Sequence, residues 1–242
     1  GIRHGSATWR VLSLSLGLTS SQLAFPMSNN SPEPKRKTPH SIYSYTPTPP
    51  TSPAHPNHQM ATAGEQKHTY SVWGVPPPNV AERLKKLTSG LRSEFGGPQF
   101  DPHVTVVGAI TLSEDDALEK FRRACAGVKA YKATADRIAT GTFFYQCVFL
   151  LLHPTHEVVE ASAHCCEQFG YKTNAAYMPH LSLLYGDLSE DEKKKAQERT
   201  NILDESINDL SFQISRLELW ETDTGDNSLK SWKRVAEICL NP

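Results

Sequence analysis

From about Lys67 onward the apolar and polar positions fall into regular patterns that switch between strand and helix periods. His68-Thr69-Tyr70-Ser71-Val72-Trp73-Gly74-Val75 alternates as a strand does and stops at Pro76-Pro77-Pro78. Asn79 then predicts the cap of an amphipathic helix reaching about Phe95. Its apolar positions Val80, Leu84, Leu87 and Leu91 are spaced by four, three and four, and Gly96-Gly97-Pro98 closes it. A strand is expected from His103, and Ser113 opens the next helix with Glu114, Asp115 and Asp116 against the dipole of its first turn. Thr142 to Leu152 is aromatic, branched and apolar on both faces, which predicts a central strand covered on each side. A helix follows Pro154 and runs to Phe169-Gly170. A strand then begins at His180, and Ser189 with Glu192 forms a capping box for the next helix. Two closing strands, near Leu210–Trp220 and Trp232–Leu240, flank a turn at Asp223-Thr224-Gly225-Asp226-Asn227.

Composition changes the picture before Lys67. Residues 1–59 hold nine of the seventeen prolines, one acidic residue (Glu33), five basic ones and few large apolar residues after Phe25, so no core can be built there. The expected division is a disordered Pro/Ser-rich extension over 1–59, as translated leader or with an organellar presequence as the alternative, and one folded domain over 60–242. Met60-Ala61-Thr62-Ala63-Gly64 reads like an ordinary start. The extension carries a charge of +4 within a total of −1, which leaves −5 for residues 60–242. That balance lacks the basic footprint of a protein that grips long nucleic acid, so a small ligand is expected. Five cysteines without a Cys-x-x-Cys pair point to a reducing compartment. No run approaches the roughly 20 apolar residues of a membrane span, and the expectation is a cytoplasmic monomer.

The chemistry lies in a repeat. Pro102-His103-Val104-Thr105-Val106-Val107 is followed by Leu112-Ser113-Glu114-Asp115, and Pro179-His180-Leu181-Ser182-Leu183-Leu184 by Leu188-Ser189-Glu190-Asp191. The same unit occurs twice, one residue shorter in the second connection. On a strand, His103 and Thr105 share a face, as do His180 and Ser182. Two such units about a pseudo-twofold axis would bring two imidazoles and two hydroxyls to one cleft. In-line displacement at phosphorus needs such a set: a base, an acid and donors to the nonbridging oxygens. Imidazole titrates near neutrality and can fill either proton-transfer role.

Two His-x-Thr/Ser-x motifs with apolar x positions resemble those of the two-histidine phosphoesterase superfamily. Tyr70-Ser71-Val72-Trp73, Leu91-Arg92-Ser93-Glu94-Phe95, Thr140-Gly141-Thr142-Phe143-Phe144 and Tyr177-Met178-Pro179-His180-Leu181-Ser182-Leu183-Leu184-Tyr185 look like the plant cyclic phosphodiesterases within it. The resemblance implies an α+β, bilobal fold: two pseudo-symmetric lobes, each an antiparallel sheet with outer helices, around a cleft. It implies hydrolysis of ADP-ribose 1″,2″-cyclic phosphate to ADP-ribose 1″-phosphate and of nucleoside 2′,3′-cyclic phosphates to 2′-phosphates. The reaction would use neither metal nor cofactor and would stand downstream of tRNA splicing. Carried over by position, His103 and His180 are the acid/base pair, Thr105 and Ser182 hold the phosphate, Tyr185 stands beside the attacking water, and Trp73 stacks on base or ribose.

Two other classes use some of the same residues. A metal hydrolase could draw on His153, His156 and His164 with His103 and His180, although Pro154 interrupts the His153-x-x-His156 spacing and no acidic cluster accompanies it. A non-catalytic nucleotide-binding module would keep the motifs as contacts and bind AMP or ADP-ribose without turnover.

Overall fold

The computed structural model describes residues 66–242, so the extension read into 1–59 and the start at Met60 lie outside the described residues. The elements run β1 (Lys67–Gly74), α1 (Pro78–Phe95), β2 (Val104–Ser113), α2 (Glu114–Ala126), β3 (Tyr131–Thr140), β4 (Val148–Leu152), α3 (His156–Phe169), β5 (His180–Leu184), α4 (Glu190–Leu203), β6 (Ser211–Ile214), β7 (Arg216–Glu221) and β8 (Lys233–Cys239). No helix among the described residues is long and apolar enough to cross a membrane.

Helix ends follow local chemistry. The α1 positions Val80, Leu84, Leu87 and Leu91 are buried as their spacing requires. Its start is not capped by Asn79. The helix begins two residues earlier than that cap would set it, at Pro78 with Pro77 in the cap position, and no side chain bonds to its end. Proline suits a first helical position because its missing N–H would have no partner there. Ser113 accepts from the Asp116 N–H, Thr155 caps α3, and Ser189 with Glu192 forms the full capping box of α4.

The strands form one antiparallel sheet in the order β6-β3-β4-β5-β2-β1-β7-β8. The architecture is the expected α+β, with the antiparallel sheets of the two halves continuous with each other. The four-strand halves are joined at the centre, where Val104 of β2 pairs with Leu181 of β5. The expected strand over Leu210–Trp220 is two strands, β6 and β7, parted by Ser215. Those two belong to opposite sides of the sheet, so a one-residue link between them requires the sheet to curl until its ends approach. Other contacts close the same seam: the Leu240 N–H donates to the Ser215 carbonyl at 2.8 Å, and the Ala130 N–H to that of Asn241 at 2.7 Å.

The helices cover one face of the curl. Helices α2 and α3 pack together over β1 and β2, and α1 and α4 pack together beside β5, β4 and β3. Tyr70, Val72, Val104, Val106, Leu181, Leu183, Leu217 and Leu219 point into this core. Their strand neighbours therefore point to the opposite, inner face.

Two further departures concern the sheet. β3 has no counterpart among the expected strands, since its sequence Tyr-Lys-Ala-Thr-Ala-Asp-Arg-Ile-Ala-Thr has few large aliphatics. The expected strand over Thr142–Leu152 keeps only Val148–Leu152. Phe144–Gln146 form a single 3-10 turn because the chain loops back, with the Gly141 N–H donating to the Cys147 carbonyl at 3.2 Å.

Candidate active site

The sheet register assembles the site. Val104 and Leu181 are the residues that follow the histidines in the two copies of the repeat, and they face each other across antiparallel strands. Extending that register one residue each way sets His103 opposite Ser182 and Thr105 opposite His180, on the same inner face. The two motifs thus lie about a local two-fold axis through the sheet centre. The structure brings all four predicted side chains together by this pairing.

Each imidazole is oriented by its own strand approach. His103 Nδ1 lies 2.7 Å from the Asp101 carbonyl, and His180 Nδ1 lies 3.0 Å from the Met178 carbonyl. A carbonyl only accepts, so both Nδ1 atoms carry the proton and both Nε2 atoms are left for chemistry. The Gln146 amide lies 3.4 Å from His180 Nε2, consistent with that nitrogen as the acceptor of a neutral ring. His103 is buried, and burial pushes its pKa down to about 4; the Asp101 carbonyl partly offsets this and nearby His180 deepens it. Burial also lowers His180, partly offset by the Met178 carbonyl.

The equivalent hydroxyls differ in what they already do. Ser182 is buried and donates to the Tyr145 carbonyl at 3.1 Å. Thr105 is half-buried and its hydroxyl makes no hydrogen bond among the described residues, while its carbonyl accepts from the Tyr177 phenol at 2.8 Å. A phosphate oxygen would meet a ready donor at Thr105 and a committed one at Ser182.

Aromatic rings frame the imidazoles. Trp73 stacks on His103 with centroids 3.6 Å apart and planes 6° apart, and on Trp220 at 4.3 Å and 22°. These neighbours come from strands on either side of β1, and Trp73 is only 2% exposed. Neither ring face is left for a base or ribose, contrary to the role read for Trp73; here it backs His103. Tyr185 is buried, stacks on Phe100 at 3.9 Å and meets Tyr145 edge-on. Burial pushes its phenol pKa up, partly offset by Ser182. Gly97 makes the Phe100 contact possible. At a φ of 93°, it leaves the α1–β2 loop so close that a Cβ there would sit 2.3 Å from the Tyr185 carbonyl.

Several neighbours escaped the sequence reading. Gln146 was hidden inside an apolar run, and Phe100 in a loop. Trp220 and Trp232 carried a usable signal: three of the chain's four tryptophans meet at this site. Trp232 stacks on Tyr145 at 5.6 Å, and the Tyr145 phenol donates to the Thr224 carbonyl at 3.0 Å, tying the β7–β8 loop to the 3-10 turn. By contrast, no three His, Cys, Asp or Glu side chains gather in metal-holding geometry among the described residues.

Comparison with known proteins identifies the family. A family model for the 2'-5' RNA ligase superfamily matches residues 76–226. A cyclic phosphodiesterase of Arabidopsis thaliana is 54% identical over 177 residues, covering 73% of this chain and 98% of that protein. A 2',3'-cyclic-nucleotide 3'-phosphodiesterase of Yarrowia lipolytica is 26% identical over 158 residues, 49% of this chain and 73% of that one. Among solved structures, E. coli LigT complexed with 3'-AMP matches with a TM-score of 0.52 at 13% identity, covering 73% of this chain and 100% of LigT, which is a likeness of fold. The chain therefore belongs to the 2'-5' RNA ligase superfamily of two-histidine phosphoesterases and is an enzyme of the cyclic phosphodiesterase class.

Proposed function

We propose that the chain opens ADP-ribose 1″,2″-cyclic phosphate to ADP-ribose 1″-phosphate and nucleoside 2′,3′-cyclic phosphates to 2′-phosphates, without metal, downstream of tRNA splicing. The observation that carries the chemistry is the pairing of Val104 with Leu181, which sets two Nδ1-anchored imidazoles on one face, each opposite a hydroxyl. The Arabidopsis and Yarrowia relatives, both named for phosphodiester cleavage, support the substrate class.

In this mechanism His180 Nε2 takes a proton from water as the water oxygen bonds to phosphorus, and the bond from phosphorus to the leaving ribose oxygen breaks. That oxygen receives the proton of His103 Nε2. His180 is assigned the base because Gln146 faces its Nε2 as a donor, which fits the neutral ring. His103 must be protonated to act, against its burial. The negative phosphate drawn in beside it supplies the compensating charge, and the Trp73 face attracts an imidazolium as well. Thr105 and Ser182 donate to the nonbridging oxygens, Ser182 by turning its hydroxyl hydrogen away from the Tyr145 carbonyl.

The test is a metal-free assay of ADP-ribose 1″,2″-cyclic phosphate beside the four nucleoside 2′,3′-cyclic phosphates, identifying the ester formed. His103→Ala and His180→Ala should each lose about 10²–10⁴-fold in kcat. Near-normal turnover by both variants would sink the mechanism.

A further inference from the structure

The steps above leave the attacking water held by His180 alone. A water bound through one hydrogen bond can still turn, whereas in-line attack needs an oxygen lone pair aimed at phosphorus. Tyr185, expected beside that water, is 3% exposed and closed in by Phe100 and Tyr145. Gln146 stands at the nitrogen that must take the proton, its amide 3.4 Å from His180 Nε2.

The 3-10 turn that carries Gln146 is tied down at each of its residues. The Gln146 N–H donates to the Phe143 carbonyl at 2.8 Å, the Gly186 N–H to the Phe144 carbonyl at 3.0 Å, and the Ser182 hydroxyl to the Tyr145 carbonyl at 3.1 Å. The last two bonds fasten the turn over β5 and the residues that leave it. Gly141 lets the chain approach so closely that a Cβ there would lie 2.5 Å from the Gln146 carbonyl oxygen. A backbone held in this way leaves the amide rotation about its own side-chain bonds. That amide is underused. A carboxamide offers two donors and an acceptor, yet among the described residues its side chain has one partner, His180 Nε2, at a distance long for a hydrogen bond. The spacing suits a shared water: an oxygen about 2.8 Å from each of two such atoms closes an ordinary triangle.

We propose that Gln146 is a catalytic residue that orients the attacking water for His180. A half-turn of the amide, about a torsion that is broad and roughly two-fold, exchanges its nitrogen for its oxygen. The amide oxygen then accepts one hydrogen of the water, His180 Nε2 accepts the other, and a lone pair faces phosphorus. As the water oxygen bonds to phosphorus, the hydrogen at His180 passes to the ring and the one at Gln146 stays on the new phosphate oxygen. The bond from phosphorus to the ribose oxygen breaks, and that oxygen takes its proton from His103. Before substrate binds, the amide nitrogen faces His180 Nε2 in the water's place. This assignment rests on the mechanism proposed above, with His180 as the base.

Methanol separates the two roles. It has one hydrogen on oxygen, which His180 can take, and none for Gln146. With uridine 2′,3′-cyclic phosphate in dilute methanol, hydrolysis gives a phosphate monoester and methanolysis a methyl diester, and chromatography reads their ratio. Gln146→Met fills a similar space without an acceptor. It should lower kcat by about 10–100-fold with KM little changed, and raise methanolysis relative to hydrolysis by about tenfold, the scale of one lost hydrogen bond. Gln146→Glu restores an acceptor, so its product ratio should return to that of the unaltered protein, while its charge beside His180 moves the pH optimum toward alkaline. Equal slowing of both products in Gln146→Met would reduce Gln146 to shaping the turn, and so would a ratio that Gln146→Glu leaves unrestored. Absence of both products from the unaltered protein would instead overturn the proposed function, and this assignment with it.

Discussion

Burial and backbone anchoring decide what each imidazole can do. Both histidines lose solvent, and both pKa values are drawn down, His103 to about 4. A reaction with one protonated and one neutral imidazole is fastest midway between its two pKa values, whichever group is the acid. The maximum of kcat/KM is therefore expected below pH 6.5, the ordinary histidine value, and a pH–rate profile reads it directly. The kcat profile should lie to its alkaline side, since bound phosphate favours both protonated rings. The Trp73 stack adds a finer expectation. Its ring face stabilises the charged His103, by about 1–2 kcal/mol for a desolvated pair. Trp73→Leu should move the kcat/KM optimum further toward acid by a fraction of a pH unit and lower kcat more than it raises KM, whereas Trp73→Phe should keep most of both. An unmoved pH profile in Trp73→Leu would reduce Trp73 to core packing.

Among the elements, α4 offers a clean separation of stability from chemistry. Its capping box is built from Ser189 and Glu192 at the helix start, on the helix-covered side of the sheet. Ser189→Ala should cost about 1 kcal/mol, read as a lower denaturation midpoint, with kcat/KM unaltered. A fall in kcat/KM would mean that α4 reaches the site through β4 or β3. Such caps were legible in the sequence because their chemistry is local, as were the α1 face and both motif strands. Features set by distant partners were not. β3 owes its place to β4 and β6 on either side rather than to large aliphatics of its own. Thr142–Gln146 leave the sheet through a loop closed by Gly141, and that loop delivers Gln146 to His180. Trp73 looked available for a ligand because one strand cannot show that rings from its two neighbours will cover both its faces.

At the scale of the whole molecule, all eight strands of the sheet come from the described residues. We propose that a chain begun at Met60 keeps the full kcat/KM, measured beside the 242-residue chain on a nucleoside cyclic phosphate; a large loss would give the preceding segment a part in catalysis. The seam at Ser215 brings the ends of the sheet together, but the spacing of the histidines is set at its centre, by Val104 opposite Leu181. A slip of one residue at that pair would swing His180 and Ser182, or His103 and Thr105, into the helix-covered core and put aliphatic side chains in their place. Misregistered molecules would thus be silent rather than slow or unselective. Activity per milligram is then a census of correctly closed chains, and a preparation with reduced kcat but unchanged KM and pH optimum would contain fewer such chains, each working at full rate.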